Sequence, residues 1–232
     1  MIFNFFSLLF DSHGFEMIAA IIGSLLWVLA YILMALKGYR DQTYGLPLVA
    51  ITLNFSWEFI YVFFYPPDNR IVMLLRIAWL VFDVFNVWLL FRFGKAIQSV
   101  PEIRQHFYAV VLCTFAFAYM GEMALHHRLA DSGGDESAYS INFIMSVLFV
   151  FMYFNRRDLK GLSYGAAWAK MLGTGIMALA TYLAFLRQGG THYLLDYLFA
   201  CIFIFDVIYV YLLHKAGAGA ASGLKATASA RA

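Results

Sequence analysis

Acidic side chains lie inside apolar stretches of this sequence, where an ionised group is costly. Glu58, Asp83 and Asp206 each fall within a hydrophobic segment, and a charge at the centre of a bilayer costs roughly 2.5–3.5 kcal/mol on insertion scales. Neighbouring acids repel one another, so at least one should keep its proton at neutral pH, or a cation should lie among them. We therefore predict that these three residues are catalytic, and they are also a candidate set of ligands for a divalent metal.

Other polar and aromatic residues recur at helical spacing around the acids. Two stripes follow from the 3.6-residue period, one on the second apolar segment and one on the third. They consist of Asn54, Glu58, Tyr61 and Tyr65 and of Arg76, Trp79, Asp83 and Asn86. The predicted substrate-binding residues come from these stripes, from the neighbour of Glu58 and from the outer ends of later segments. They are Asn54, Trp57, Tyr61, Arg76, Trp79, Glu122 and Asp196.

Some of these features also have structural interpretations. Arg76 and Asp83 lie two turns apart on one helical face, so they could form a buried ion pair without a chemical role. Glu122 and His126 have the i, i+4 spacing of a helical metal pair, but a solvated polar turn is the commoner outcome at a helix end. Lys170 lies near the start of the sixth apolar segment, where its side chain can extend to the membrane surface, and we predict no chemical role for it.

Seven apolar segments carry these residues. Hydrophobic residues make up 63% of the 232 and charged residues only 13%, a composition that suits a bilayer rather than water. A spanning helix needs about 20 mainly apolar residues. The windows that qualify are roughly 17–36, 46–65, 71–91, 106–125, 138–154, 166–186 and 193–213. Because short polar turns join them, the sequence predicts one all-α bundle of seven transmembrane helices.

Basic residues predict the orientation of this bundle. The loops after the first, third and fifth segments and the C-terminal tail hold most of the Lys and Arg residues of the connecting segments. The opposite set of loops holds only Arg70, Arg128 and Arg187. Since positive charge accumulates on the cytoplasmic side, the sequence places the C-terminus in the cytoplasm and the N-terminus outside.

The membrane domain, predicted at residues 17–214, has two short flanks. Residues 1–16 are too few to span a bilayer and predict an interfacial segment, and the Ala-, Gly- and Ser-rich residues 215–232 predict a disordered tail. The net charge of +2 argues against a nucleic-acid polymer as partner. The expected partners are a small-molecule substrate and the lipid bilayer, and the expected location is a bacterial inner (plasma) membrane, as a multi-pass protein.

The segment from Asn54 to Glu58 also carries a family resemblance. Asn54-Phe55-Ser56-Trp57-Glu58 is similar to the Asn-x-x-Trp-Glu signature of the small seven-helix membrane terpene cyclases of meroterpenoid and indole-diterpene pathways and of their bacterial relatives. The Trp79-to-Asp83 stretch resembles the third helix of the same family. The resemblance implies that Glu58 and Asp206 start cyclisation by protonating an epoxide or alkene of a prenylated substrate, and that no cofactor is needed.

Two other functions remain open from the residues. Arg76, His126 and Arg128, among other cations, gather on the outer half of the chain, where they would attract an anion. If the carboxylates held a divalent metal or activated water, the protein would be an outward-facing hydrolase of a small phosphoester such as a nucleotide. A transporter or receptor is the third hypothesis, but the sequence shows neither an internal repeat nor interrupted helices. We rank the cyclase first and the hydrolase second.

Overall fold

The computed structural model describes residues 12–156, 158–187, 190 and 192–229, and every regular element within them is a helix. The helices are α1 Ser12–Arg40, α2 Leu48–Phe63, α3 Arg70–Ile97, α4 Pro101–Gln105, α5 Phe107–Leu129, α6 Asp135–Asn155, α7 Tyr164–Arg187 and α8 Tyr193–Ser229. The all-α prediction is therefore confirmed. Each of the seven predicted apolar segments coincides with one helix, and the five-residue α4, which begins with Pro101 at its first position, was not predicted.

The helices differ in their capacity to cross a membrane. Six of them, all except α2 and α4, are long and apolar enough to do so, which makes the chain a multi-pass membrane protein. α2 has 16 residues, or about 24 Å at 1.5 Å per residue, and the hydrocarbon core is about 30 Å thick. Pro47 precedes α2 and Pro66 lies shortly after its end. Proline in a helix interior removes a backbone hydrogen bond and clashes with the preceding turn, so α2 does not extend through either residue. If the chain has seven transmembrane helices in the predicted orientation, α2 must also cross the membrane.

Six helices form a ring and the seventh long helix packs outside it. Around the ring the order of contacts is α1, α3, α2, α6, α8 and α7, and α7 returns to α1. α5 packs mainly on the outer side of α2. The principal neighbours of α1 are therefore α7 and α3, so helices that follow one another in the chain are not always the closest partners.

Small residues allow α1 and α7 to come close together. A Cβ atom placed on Gly23 would lie 2.9 Å from the carbonyl oxygen of Gly173, and one on Gly173 would lie 2.9 Å from that of Gly23. Backbones that approach this closely gain van der Waals contact along the helices, as is usual where glycines face each other in membrane proteins. The contact lies one turn from Trp27 and fixes the height at which α1 meets α7.

The structure describes part of each flank of the membrane domain. Residues 1–11 lie outside the described part, and α1 already begins at Ser12, within the segment predicted to be interfacial. At the other end, α8 continues to Ser229, although its apolar part ends at Gly217. An interfacial segment at residues 1–16 and a disordered tail at residues 215–232 stay predictions.

Candidate active site

A cavity of about 620 Å³ runs into the ring from one end of the bundle. We call this end the mouth; it is formed by the starts of α1, α3 and α6 and the end of α7. The lining comes from α1, α2, α3, α6 and α7, from Asn69 and Asp135 at the mouth to Tyr31 and Glu58 at the floor. The volume lies within the roughly 300–1,000 Å³ of typical small-molecule sites.

The floor of the cavity is a cluster of hydrogen-bonded polar groups, which we call the Glu58 cluster: Tyr31, Asn54, Glu58, Asp83 and Asn86. The Tyr31 hydroxyl donates to Glu58 Oε1 at 3.0 Å. The Asn54 amide donates to Asp83 Oδ2 at 2.8 Å and to Glu58 Oε1 at 3.2 Å, and it also contacts the Tyr31 hydroxyl. The Asn86 amide reaches Asp83 Oδ1 at 3.3 Å. All five side chains are buried.

The helical spacing found in the sequence accounts for most of this cluster. Asn54 and Glu58 lie one turn apart on α2, and Asp83 and Asn86 lie at i, i+3 on α3, so each pair shares a face. Because α2 and α3 are neighbours in the ring, the two faces meet. Tyr31 on α1 was not predicted, since a single tyrosine in an apolar helix gives no pattern.

Asp206 does not join the Glu58 cluster, contrary to the prediction of three converging carboxylates. Its two oxygens lie 2.7 and 2.9 Å from Lys170 Nζ, and its helix, α8, contacts α6 and α7 rather than α2 or α3. Within the described residues, no three His, Cys, Asp or Glu side chains come together as metal ligands. The predicted metal set of Glu58, Asp83 and Asp206 is therefore wrong, because α8 faces a different part of the ring.

Lys170 likewise does not extend to the membrane surface. Only 2% of its side chain is exposed, and besides Asp206 it donates to Ser146 Oγ at 2.7 Å. The prediction that Lys170 has a purely interfacial place is wrong, because a buried carboxylate on the neighbouring helix offers the ammonium a charged partner that the sequence spacing did not show.

Arg76 lines the cavity but does not pair with Asp83, so the predicted ion pair is not formed. Its guanidinium donates to the backbone oxygens of Gly133 at 2.6 Å and Tyr61 at 3.4 Å. The guanidinium carbon lies 5.2 Å from the ring centre of Trp57 and 5.4 Å from that of Tyr61. Among the described residues, no carboxylate forms an ion pair with it. The side chain turns towards the mouth, away from Asp83 two turns deeper.

The two aromatic residues under Arg76 are anchored by the loop between α5 and α6 and by the first turn of α6. Trp57 Nε1 donates to Ser137 Oγ at 2.9 Å, and the Tyr61 hydroxyl donates to the backbone oxygen of Asp131 at 3.0 Å. Ser137 Oγ in turn donates to Asp131 Oδ2 at 2.6 Å. Burial alone would raise the pKa of Asp131, but hydrogen bonds from Glu136 and Ser137 hold it below its ordinary value.

Gly134 completes this anchor. Its φ is +78°, and a Cβ atom there would lie 2.9 Å from both the Trp57 and the Tyr61 ring. Only glycine combines that backbone conformation with so close an approach. The Gly133-Gly134 pair indicates a turn in the sequence. Its packing against the cavity wall could not be predicted, because the aromatic side chains that it contacts, Trp57 and Tyr61, come from α2.

The remaining predicted substrate-binding residues have different places. Trp79 lines the cavity, and its Nε1 donates to the backbone oxygen of Ser24 at 3.3 Å. Asp196 is partly exposed on α8, and neither it nor Glu122 is among the described lining residues. Glu122 is buried on α5, and both its carboxylate oxygens are without a hydrogen-bond partner in the described part of the chain.

His126 contacts two tyrosine side chains of α2. Its ring stacks on Tyr65 with 3.7 Å between ring centres, and its Nδ1 lies 3.0 Å from the Tyr61 hydroxyl. The histidine thus belongs to the aromatic group on the outer part of α2. The i, i+4 spacing did not decide this, because Tyr61 and Tyr65 approach from another helix.

The fold and the cavity define a class: a multi-pass membrane protein with buried carboxyl groups at the floor of an aromatic cavity. Residues 12–219 match Pyr4-like transmembrane terpene cyclases, and the chain belongs to that family. The resemblance found at Asn54 to Glu58 is therefore confirmed.

Curated proteins similar to this chain are named terpene cyclases. The chain is similar to terpene cyclase macJ of Penicillium terrestre, 29% identical over 160 residues that cover 66% of this chain and 61% of the relative. Terpene cyclase cle7 of Aspergillus versicolor is 27% identical over 166 residues, 70% and 67% of the two chains. Terpene cyclase pyr4 of Aspergillus fumigatus is 25% identical over 152 residues, 65% and 63%. The matches span about two thirds or less of these fungal relatives, and a bacterial location stays a prediction.

Proposed function

We propose that this protein is a membrane-embedded cyclase that protonates an epoxide or alkene of a prenylated substrate. Its family membership supports the reaction class. The observation that carries the proposal is the position of Glu58: it lies at the floor of an aromatic cavity, and within the described residues no basic group pairs with it. An acid in such a place can keep a proton and deliver it to a bound substrate.

The surroundings of Glu58 favour its protonated form. Glu58 and Asp83 share one amide donor, Asn54, in a buried position, and two ionised carboxylates there would repel each other. Asp83 accepts on both oxygens, from Asn54 on Oδ2 and from Asn86 on Oδ1, which favours its charged form. Glu58 also has two donors, Tyr31 and Asn54, but both reach Oε1. Glu58 Oε2 is buried without a hydrogen-bond partner among the described groups. Because the two carboxyl groups should hold one proton between them, we assign that proton to Glu58, whose Oε2 has no donor in the described part of the chain.

The proposed reaction begins when Glu58 transfers its proton to the epoxide oxygen. The carbon–oxygen bond then breaks, a neighbouring alkene attacks the electron-poor carbon, and a ring closes with a new carbocation. Loss of a proton from carbon ends the sequence, so the product is an isomer of the substrate. The faces of Trp27, Trp57 and Trp79, which line the cavity, would stabilise the positive charge, and the apolar wall would keep water from it. Such an isomerisation needs no cofactor.

Arg76 suits the oxygenated part of the substrate. It lies on the mouth side of Trp57, and its only described hydrogen bonds go to two backbone oxygens. A guanidinium has five N–H donors in a fixed fork, so donors remain for an acceptor oxygen on the substrate. The prenyl chain would then extend from Arg76 towards Glu58.

The hydrolase hypothesis lacks comparable support. It needed the three carboxylates to act together on a metal or water, but Asp206 is bound to Lys170 and lies apart from Glu58 and Asp83. The positive charge at the mouth, which suggested an anionic substrate, is also reduced. Asp135 lies near Arg76 in the lining and partly balances its charge.

An activity assay in detergent or membranes tests the proposal. Wild-type protein is incubated with epoxidised prenylated aromatic compounds and, separately, with a panel of phosphoesters. We expect a product of unchanged mass with a new ring, identified by mass spectrometry and NMR, and no phosphate release. Phosphate release without a cyclised product would overturn the cyclase assignment.

A further inference from the structure

Lys170 and Asp206 form a buried ion pair apart from the Glu58 cluster. Lys170 Nζ lies 2.7 Å from Asp206 Oδ1, 2.9 Å from Oδ2 and 2.7 Å from Ser146 Oγ. An ammonium group has three N–H donors, and these three oxygens account for all of them. The two side chains are 2% and 4% exposed. The pair is thus a fully hydrogen-bonded, neutral unit.

This unit lies directly behind one wall of the cavity. Lys170 Nζ is 5.6 Å from the centre of the Trp27 ring, and Trp27 lines the cavity, whereas the described lining includes neither Lys170 nor Asp206. Trp27 Nε1 donates to Thr174 Oγ1 at 3.1 Å, and its ring centre lies 5.5 Å from that of Tyr31, which donates to Glu58. The ion pair therefore supports the wall next to the acid.

The charge of Lys170 matters for a reaction that passes through a carbocation. The π face of Trp27 attracts positive charge, but an uncompensated ammonium behind the same ring would repel a cation in the cavity, and the low dielectric would strengthen that repulsion. Asp206 binds the ammonium through both oxygens and cancels its charge. Removal of Asp206 alone would leave a buried charge without a partner, which is strongly unfavourable.

We propose that Asp206 is the counterion of Lys170 and does not donate or accept a proton in the reaction. Both are positioning residues, which hold Trp27 in place and keep the region behind it electrically neutral. This inference rests on the proposed cyclase function. It differs from what the family resemblance implies for Asp206, because a carboxylate bound bidentately to an ammonium is a poor proton donor and lies outside the cavity lining.

Double substitution separates a counterion from an acid. We expect Asp206→Asn to lower kcat by about a hundredfold or more with a smaller change in KM, because the ammonium loses its partner. The pair Lys170→Met with Asp206→Asn removes both charges and should recover kcat to within about tenfold of wild type. A second neutral pair, Lys170→Gln with Asp206→Asn, keeps a donor for Ser146 and should behave alike.

The outcomes distinguish this inference from the proposed function. The counterion role is overturned if wild type cyclises the substrate and neither double variant is more active than Asp206→Asn. This holds whether size-exclusion chromatography shows the double variants to be folded or misfolded. Recovery in either double variant supports it, since an acid replaced by asparagine could not be restored by a change at Lys170. If wild type cyclises no substrate, the proposed function fails and this inference fails with it.

Discussion

Glu58 and Asp206 are both acids buried in transmembrane helices, yet their surroundings differ. Among the described residues, Glu58 contacts only neutral donors, and it lies close to a second carboxyl group, Asp83. Asp206 contacts an ammonium through both oxygens. Glu58 lines the cavity, and Asp206 lies behind Trp27. An acid without a cation can hold a transferable proton, whereas one bound to lysine is held as a carboxylate.

Residue type and depth alone do not define the role of an acid inside a membrane. Both acids are rare and costly in a bilayer, and on that ground each is a functional candidate. The partner decides between them, and the partner of Asp206 is on another helix. Substitutions of these acids and of the residues around them therefore test whether the two roles differ.

Glu58→Gln should have the largest effect. Glutamine keeps the shape and one hydrogen-bond acceptor but cannot transfer a proton, so we expect kcat to fall by about 10²–10⁴-fold. The measurement is the rate of cyclised product per amount of folded protein. Glu102→Gln, on the exposed α4, is the matched control and should keep the wild-type rate. A Glu58→Gln variant with more than about a tenth of the wild-type rate would remove Glu58 from the mechanism.

Arg76→Met should act mainly on substrate binding. A hydrogen bond to a charged group contributes about 1.5–3 kcal/mol, so KM should rise roughly ten- to hundredfold. Arg92→Met, at an exposed position on the same helix, serves as the control and should leave KM unchanged. Steady-state kinetics on one prenylated substrate measure the KM of both variants. An unchanged KM in Arg76→Met would show that the guanidinium only supports the Gly133 loop.

Asp83→Asn should have a smaller effect than Glu58→Gln. Asparagine can still accept from Asn54, but it removes the negative charge that favours a proton on Glu58, so we expect a loss in kcat of about tenfold or less. Thermal unfolding should show no loss of stability, since a buried charge has been replaced by a neutral group. If the loss in kcat equals that of Glu58→Gln, the proton belongs to Asp83, and the assignment within the cluster must be reversed.

Asp41 offers a third kind of acid, paired with lysine but close to the surface. Its Oδ2 lies 2.7 Å from Lys37 Nζ and accepts from the Gly161 amide at 2.7 Å. Burial acts to raise the pKa of Asp41, but the hydrogen bond from Lys37, the amide of Gly161 and the charge of Lys37 together lower it. A lowered pKa in the folded state stabilises the protein above the pKa of the unfolded chain, about 3.9, and this contribution is lost as the pH falls.

Asp41→Asn should therefore have the smallest effect and none on the rate of cyclisation. We expect the Tm at neutral pH to fall by at most a few degrees, and the difference from wild type to shrink as the pH approaches 4 and below. Thermal unfolding at several pH values measures both. A difference that grew towards acid pH would show that Asp41 is not held as a carboxylate in the folded protein.

Local periodicity explains which parts of this architecture could be predicted. The apolar segments became helices because the backbone must satisfy its own hydrogen bonds in lipid, a requirement that any long apolar sequence meets in the same way. Asn54 with Glu58, and Asp83 with Asn86, were placed correctly on shared faces because residues three or four apart always meet on a helix. The family motif lies within one turn and a half of α2, so it too was readable from the chain.

The order of helices around the ring was decided only by tertiary packing. α8 lies between α6 and α7, and α6 separates it from α2 in the order of contacts, so Asp206 does not meet Glu58. The partner of Asp206 is a lysine 36 residues earlier in the sequence, and the partner of Glu58 is a tyrosine 27 residues earlier. The apolar helices, the acids within them and the family motif could all be recognised from the sequence. Which acid meets a cation depended on contacts between distant helices, because the strength of charge interactions depends on distance in space rather than in sequence.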